Sequence, residues 1–265
     1  MIAADTAVDP SRRVRAPAVR ATSPVIGMVR SSLYAMTERT VPTVGRWAFA
    51  ITGLCAAAGF CLSVGLAAFA VYPEVPGSTA HSFGVNADGF AGFVGRVMDI
   101  LSYFTELSNV VVAVVLLTLA FSHIRPTALW RTLRMDTLVM ISVTGLVYQV
   151  VLAPAVTLRG WEYVSNGLLH TIVPVLTVVT FLIWGPRGWL RWTTVFSALV
   201  LPIIWLVYTL IRGAIVGAYP YPFINAANLG IGGALFNVLF VVILGVILGF
   251  IFLGLDRLIM KFRRA

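Results

Sequence analysis

Six long apolar runs separated by shorter polar stretches dominate the chain. They cover residues 47–72, 101–122, 137–157, 167–185, 192–212 and 233–255. Each can supply about 20 residues of helix, the length needed to cross the hydrocarbon core of a bilayer. A helix satisfies its own backbone in lipid, whereas an open strand does not. The pattern therefore predicts an all-α, polytopic membrane bundle of six transmembrane helices over residues 46–257. Residues 1–45 are rich in Arg, Pro, Ser and Thr without a sustained apolar period, which predicts a disordered basic cytoplasmic tail. Residues 258–265 form a second basic tail. The first run and its charged leader are both too long for a signal peptide, although Ala68-Phe69-Ala70 resembles a cleavage site. A mitochondrial transit peptide is the competing explanation of the Arg-rich start.

The connections carry patterns of their own. The first outer connection, roughly 73–100, starts with Pro73 and Pro76-Gly77. Phe90, Phe93, Val94 and Val97 then recur at helical spacing, which predicts a short interfacial helix or an extension of the second span. The last outer connection reads Tyr219-Pro220-Tyr221-Pro222-Phe223-Ile224-Asn225, and its prolines forbid a regular helix. It is expected to be a stiff aromatic loop. No internal repeat of the kind many transporters show is evident. Gly245 and Gly249 form a Gly-x-x-x-Gly in the last span, suited to close packing within the bundle or to a homo-oligomer.

Charge orients these spans. The chain is 59% hydrophobic and 11% charged, with a net charge of +9. In a soluble protein that surplus would point to nucleic acid. Here sixteen of the nineteen basic residues fall in the two tails and the second and fourth connections. Only Arg96, Arg159 and Arg212 fall on the opposite side. The positive-inside rule places the rich side and both termini in the cytoplasm, with no nucleic-acid partner expected. Trp and Tyr cluster at both ends of the runs, as interfacial anchors do. All the basic residues but Lys261 are arginine, a bias of GC-rich bacterial genomes, so a bacterial plasma membrane is the expected location. Cys55 and Cys61, six helical residues and about 9 Å apart, are too distant for a disulfide and read as small apolar residues.

Polar residues inside such runs are costly and therefore informative. Ser102, Thr105, Glu106 and Asn109 are spaced to share one face of the second span. Thr105 lies roughly 6 Å below the outer boundary. His170 lies at a similar depth in the fourth span, which runs in the same direction, with Asn166 one turn above it. Tyr148 and Gln149 in the third span, Tyr208 and Arg212 in the fifth and Asn237 in the sixth fall at matching depth. One polar pocket open toward the outer leaflet is expected, with no comparable cluster in the inner halves.

Each residue also has a plainer explanation. A membrane threonine commonly bonds its hydroxyl to a carbonyl three or four residues back. A lone histidine can bridge two helices. Glu106 is open to three roles: a solvated interface residue, a partner of Arg212 or His170, or a proton carrier. Arg212 reads more simply as a snorkelling anchor than as a substrate ligand. His81 and His123 lie in loops on opposite sides, so a bis-histidine haem is not expected. No Cys/His metal spacing, phosphate loop or Gly-x-Ser-x-Gly elbow is present, and no cofactor or metal is expected.

Three segments stand out together: Tyr103-Phe104-Thr105, Asn166-x-x-x-His170-Thr171 and Tyr221-Pro222-Phe223. In this order and spacing they resemble the androgen-induced membrane threonine hydrolases, which cleave fatty acid esters of hydroxy fatty acids, and their bacterial relatives. The likeness covers roughly residues 47–255. It implies a membrane hydrolase of small lipid esters, with the threonine nucleophile mapping onto Thr105 and the histidine base onto His170. Membrane lipids and a lipid-ester substrate are the implied partners. The chain departs from the animal pattern in carrying Glu106-Leu107-Ser108-Asn109 after the threonine. A hydroxyl nucleophile needs an adjacent base, and that base needs an orienting group, for which Glu106, Asn109 and Asn237 are candidates. The alternative is a non-enzymatic six-span protein, a proton-coupled transporter or sensor centred on Glu106, or a purely structural bundle.

Overall fold

The computed structural model describes residues 41–72 and 86–263. Expectations that fall on the tail up to Thr40, on Pro73, Pro76-Gly77 and His81, and on the last two residues lie outside that set. Every regular element among the described residues is helical. Helix α1 covers Thr43–Ala68, a 3₁₀ turn Gly89–Gly92, α2 Phe93–Leu101 and α3 Phe104–Phe121. Helix α4 covers Ala128–Val147 and continues as a π turn, Tyr148–Leu152, and a 3₁₀ turn, Ala153–Ala155. Next come α5 (Glu162–Gly167), a second π turn (Leu168–Ile172) and α6 (Val173–Trp184). Helices α7 (Trp192–Ser197) and α8 (Val200–Val216), a 3₁₀ turn (Pro222–Ile224) and α9 (Ala226–Phe262) complete the chain. Six helical spans, Thr43–Ala68, Phe104–Phe121, Ala128–Ala155, Glu162–Trp184, Trp192–Val216 and Ala226–Phe262, are long and apolar enough to cross a membrane. The protein is an all-α, multi-pass integral membrane bundle.

Side chains that can serve the backbone set several boundaries. The third span starts at Ala128 rather than 137, with the Thr127 hydroxyl accepting from the Trp130 N–H at 3.4 Å. The sixth is led by a short turn from Ala226, where the Asn225 side chain accepts from the N–H groups of Ala227 and Asn228 at 3.1 and 3.3 Å, and the backbone breaks at Gly230 (φ 68°, ψ 161°) before the long helix. Residues 93–101 form a helix of their own rather than an extension of the second span. The break is at Tyr103, whose backbone is extended (φ −72°, ψ 136°). Ser102 therefore leaves the face expected to hold it with Thr105, Glu106 and Asn109. It ends α2 instead, donating its hydroxyl to the Met98 carbonyl.

Both π turns stop two residues before a proline. The Ala153 N–H reaches back five residues to Tyr148, just ahead of Pro154, and the Val173 N–H reaches back five to Leu168, just ahead of Pro174. A proline lacks the donor for the carbonyl four residues back and collides with it, so the ladder widens by one residue there. Gly145 lets α4 meet this proline, since a Cβ on it would lie 3.1 Å from the Pro174 Cβ.

Three packed clusters make up the core. Phe49, Val112, Leu116, Met140, Ile141 and Val173 join the first four spans. Leu138, Phe181, Val195 and Phe252 bind the inner parts of the third to sixth. Tyr219, Tyr221 and Ile224, packed against Trp205 and Phe223, form an aromatic plug at the outer end. Helix α8 is loosely packed and buries only Thr209 and Gly213. Gly245 and Gly249 are both buried; a Cβ at Gly249 would lie 2.8 Å from Val195 and one at Gly245 3.6 Å from Val139. The Gly-x-x-x-Gly face thus packs against α4 and α7 within the chain.

The inner halves hold a charge cluster that the sequence pattern concealed. Arg134, counted above as a loop charge, lies inside α4 and is 1% exposed. Its guanidinium is flanked by the Phe49 and Phe181 rings at 5.7 and 5.6 Å. Its nitrogens find no hydrogen-bond partner among the described residues. Asp256, fully buried in α9, pairs with Arg187 at 3.7 Å and accepts the Gly188 N–H at 3.0 Å. Removing one member of a buried charge group strands the others. Asp256→Ala is accordingly expected to destabilise the bundle by about 3–5 kcal/mol, read as a lower unfolding midpoint in detergent. The orientation is checked by reporters. Fusions at His123 and at the C-terminus should report cytoplasm and one at Asn225 the outside; a C-terminal reporter found outside would reverse the map.

Candidate active site at the outer end of the bundle

Thr105 sits in the first turn of α3, where backbone N–H groups have no partner inside the helix. Its own N–H donates to the Tyr221 hydroxyl at 3.2 Å. Its hydroxyl lies 3.1 Å from His170 Nε2 and 3.3 Å from the Tyr221 hydroxyl. His170 sits in the second π turn, with Nδ1 3.3 Å from the main-chain carbonyl of Asn166. That carbonyl can only accept, so this contact places the imidazole proton on Nδ1 and leaves Nε2 as an acceptor. The Thr105 hydroxyl then donates to Nε2, and the Tyr221 hydroxyl donates to Thr105 Oγ1. Each hydrogen in the triangle has one place to go.

The surroundings fix these three groups. The Tyr148 ring, in the first π turn, stacks on the His170 ring at 3.9 Å and 24°. The two proline-induced turns thus hold the imidazole and the ring that covers it. Asn109 is fully buried one turn below Thr105, and its amide donates to the Thr105 carbonyl at 2.9 Å and the Leu169 carbonyl at 3.3 Å. It locks α3 to the π turn carrying His170. Ser108 donates to the Thr105 carbonyl and faces Thr144 of α4, both at 2.9 Å.

Tyr221 comes from the connection after the fifth span. Gly217 ends α8 in the left-handed region (φ 75°), a conformation open to glycine. The Tyr221 ring stacks on Phe223 at 5.2 Å and meets the edge of Tyr103 at 5.4 Å. Asn237 donates its amide to the Phe223 carbonyl at 3.0 Å and so tethers the loop from α9. Burial pushes the Tyr221 phenol up to about 12, against the pull of its hydrogen bonds with Thr105. It therefore keeps its proton throughout the physiological range.

A cavity of about 830 Å³ opens over this triangle, lined by Thr105, Glu106, Tyr148, Asn166, His170 and Tyr221 among others. Glu106 is 3% exposed; one carboxylate oxygen accepts from the Ser63 hydroxyl at 2.7 Å, and the other has no partner among the described residues. Arg212 is not the partner of Glu106. It pairs with Asp99 of α2, which also accepts from the Asn86 amide at 2.6 Å. Tyr208 reaches Ser102 at 2.9 Å, and the Trp205 indole donates to the Ser102 carbonyl at 2.9 Å. Trp205, Tyr208 and Arg212 form one face of α8 that clamps it to α2 and to the break before α3.

Of the residues singled out in the sequence, Thr105, Glu106, Tyr148, Asn166 and His170 line one chamber. Asn109 stands behind its wall, Asn237 supports the loop and Arg212 supports α8. The chamber is built by the first four spans, α2 and the last outer loop, and not by polar groups of all six spans. The group facing His170 Nδ1 is none of the three side chains considered for it but the main chain of Asn166. Ser63 and the direct role of Tyr221 were missed. Ser63 had the signal of a hydroxyl in the outer half of the first span, and Tyr221 stood in a quoted segment without a function.

Comparison with family models, with curated proteins and with solved structures finds no match. Fold and site therefore define the class on their own: a six-span membrane protein with a threonine–histidine–tyrosine triangle in an outer chamber.

Proposed function

We propose that the protein is a membrane hydrolase of lipid esters, seated in a bacterial plasma membrane, with Thr105 as nucleophile and His170 as general base. The observation that carries this reading is the 3.1 Å contact between Thr105 Oγ1 and a His170 Nε2 left free to accept. A nucleophile, its base and the base's orienting group stand in the order such chemistry needs. Thr105 Oγ1 attacks the ester carbonyl carbon as its proton passes to Nε2. The Tyr221 O–H turns from Thr105 to the developing oxyanion, helped by the positive N-terminal end of α3. The imidazolium is held by the Asn166 carbonyl and by the face of Tyr148. It then protonates the departing alcohol oxygen as the C–O bond breaks. Water, deprotonated by the same nitrogen, hydrolyses the acyl-threonine and releases the acid.

Glu106 favours a second reading, a proton-coupled transporter or sensor, because one of its carboxylate oxygens is buried without a partner among the described residues. A relay needs further polar groups leading inward. On α3 the polar groups end at Ser108 and Asn109, and the buried face below them is apolar from Val111 to Ala120. The buried Ser142, Thr137 and Asp136 of α4 and Thr177 of α6 continue inward on other helices, so it is the Thr105–His170 contact that supports the hydrolase. Lipid-ester cleavage and proton flux in reconstituted vesicles separate the two. A hydrolase keeps part of its cleavage in Glu106→Gln and loses it in Thr105→Ala. A carrier loses proton flux in Glu106→Gln and is indifferent to Thr105→Ala.

A further inference from the structure

A second, smaller cavity meets the chamber at the site. It is a slot of about 100 Å³ between α4, α8 and α9. Val143 and Val147 form one wall, Pro202 and Leu206 the second, Val238 and Val242 the third. Thr105, Tyr148, Leu152, Tyr221 and Phe223 border both cavities, so the slot ends at the reacting atoms. Thr144 is the other hydroxyl bordering it, and that group is engaged with Ser108. The slot owes its existence to α8, which is clamped at its outer end by Trp205, Tyr208 and Arg212 and buries little elsewhere.

We infer that this slot is an acyl pocket, taking the hydrocarbon chain of the ester's acid half while the alcohol half lies in the chamber. The inference rests on the hydrolase reading, and His170 decides the orientation. His170 borders the chamber and not the slot. It must protonate the leaving alcohol oxygen and later deprotonate water. Alcohol departure and water entry therefore both belong to the chamber side, where Glu106, Asn166 and Asp99 supply a polar lining. The acyl chain stays on Thr105 between the two steps and needs a place that excludes water. An apolar slot beside a lipid-facing helix is that place, since a chain can pass into it from the membrane without crossing water. The substrate class is an ester of a hydrocarbon-chain acid drawn from the membrane, with specificity for the acid set by Leu206 and Val242.

The test uses the full chain in vesicles and two ester series. In one the acyl chain runs from butyryl through octanoyl to palmitoyl on a fixed alcohol. In the other a butyryl group is fixed and the alkanol lengthens. Leu206→Trp and Val242→Trp should lower the palmitoyl-to-butyryl ratio of kcat/KM by about tenfold or more, and Leu206→Ala should raise it. The alkanol series should keep its profile. Unchanged acyl ratios in all three variants, or a change confined to the alkanol series, would overturn the acyl pocket while leaving the hydrolase standing. If the wild-type protein cleaves neither series, the hydrolase reading fails. The slot is then judged by a diazirine-bearing palmitate. Photolabel on α4, α8 and α9 that Leu206→Trp removes supports a hydrocarbon slot, and label elsewhere overturns it.

Discussion

Thr105→Ala and His170→Ala proteins are expected to lose ester cleavage by about 10² to 10⁴ or more while remaining folded. The lower figure is what general-base help alone supplies; loss of the nucleophile costs at least as much. Folding should survive because Asn109 and Ser108 hold the Thr105 main chain rather than its side chain. His170 presents only one ring nitrogen to Thr105 and the other to a main-chain carbonyl. Residues that act as one unit do not add, so the double variant should be no slower than the slower single one. Initial rates on a vesicle-borne ester, normalised to folded protein, check this. A double variant whose loss is the product of the single losses would separate the two residues into independent roles.

Tyr221→Phe is the second large effect. The ring contacts with Phe223 and Tyr103 do not use the hydroxyl, so the loop keeps its packing. What disappears is the acceptor for the Thr105 N–H, together with the proton aimed at Thr105 Oγ1 and, in the transition state, at the oxyanion. Loss of one such donor typically lowers kcat by about 10² to 10³. The fall should appear in kcat with little change in KM, because the bond strengthens as charge develops. A purely structural tyrosine would instead lower the unfolding midpoint and leave the turnover of the folded fraction intact.

The outline of the bundle was legible in the sequence because lipid admits few solutions. A 20-residue apolar run has to be a helix, and arginines mark the side that stays in the cytoplasm. The depth match of Thr105 and His170 was legible for the same reason, since two spans of one direction place equivalent positions at one level. Detail below that level was not. The break at Ser102-Tyr103 interrupts a run that reads as one helix, and it removed Ser102 from the face of Thr105. The π turns shift the side-chain register by one residue, and a 3.6-residue wheel cannot anticipate which carbonyl will face His170. Pro154 and Pro174 were the visible cause, each just past a π turn. Arg134 read as a connection charge because it lies ahead of the third run, and Asp256 stands just past the end of the sixth. Only the longer reach of α4 and α9 buries them. Tyr221 was hidden by distance: 116 residues separate it from the hydroxyl it meets.

The most direct measurement is the site of covalent capture. Membranes holding the wild-type protein are treated with a lipophilic fluorophosphonate and digested, and the modified residue is identified by mass spectrometry. The adduct is predicted on Thr105, strongly diminished in His170→Ala, and absent in Thr105→Ala. Capture at another residue, or an adduct that persists undiminished in Thr105→Ala, would contradict Thr105 as the nucleophile.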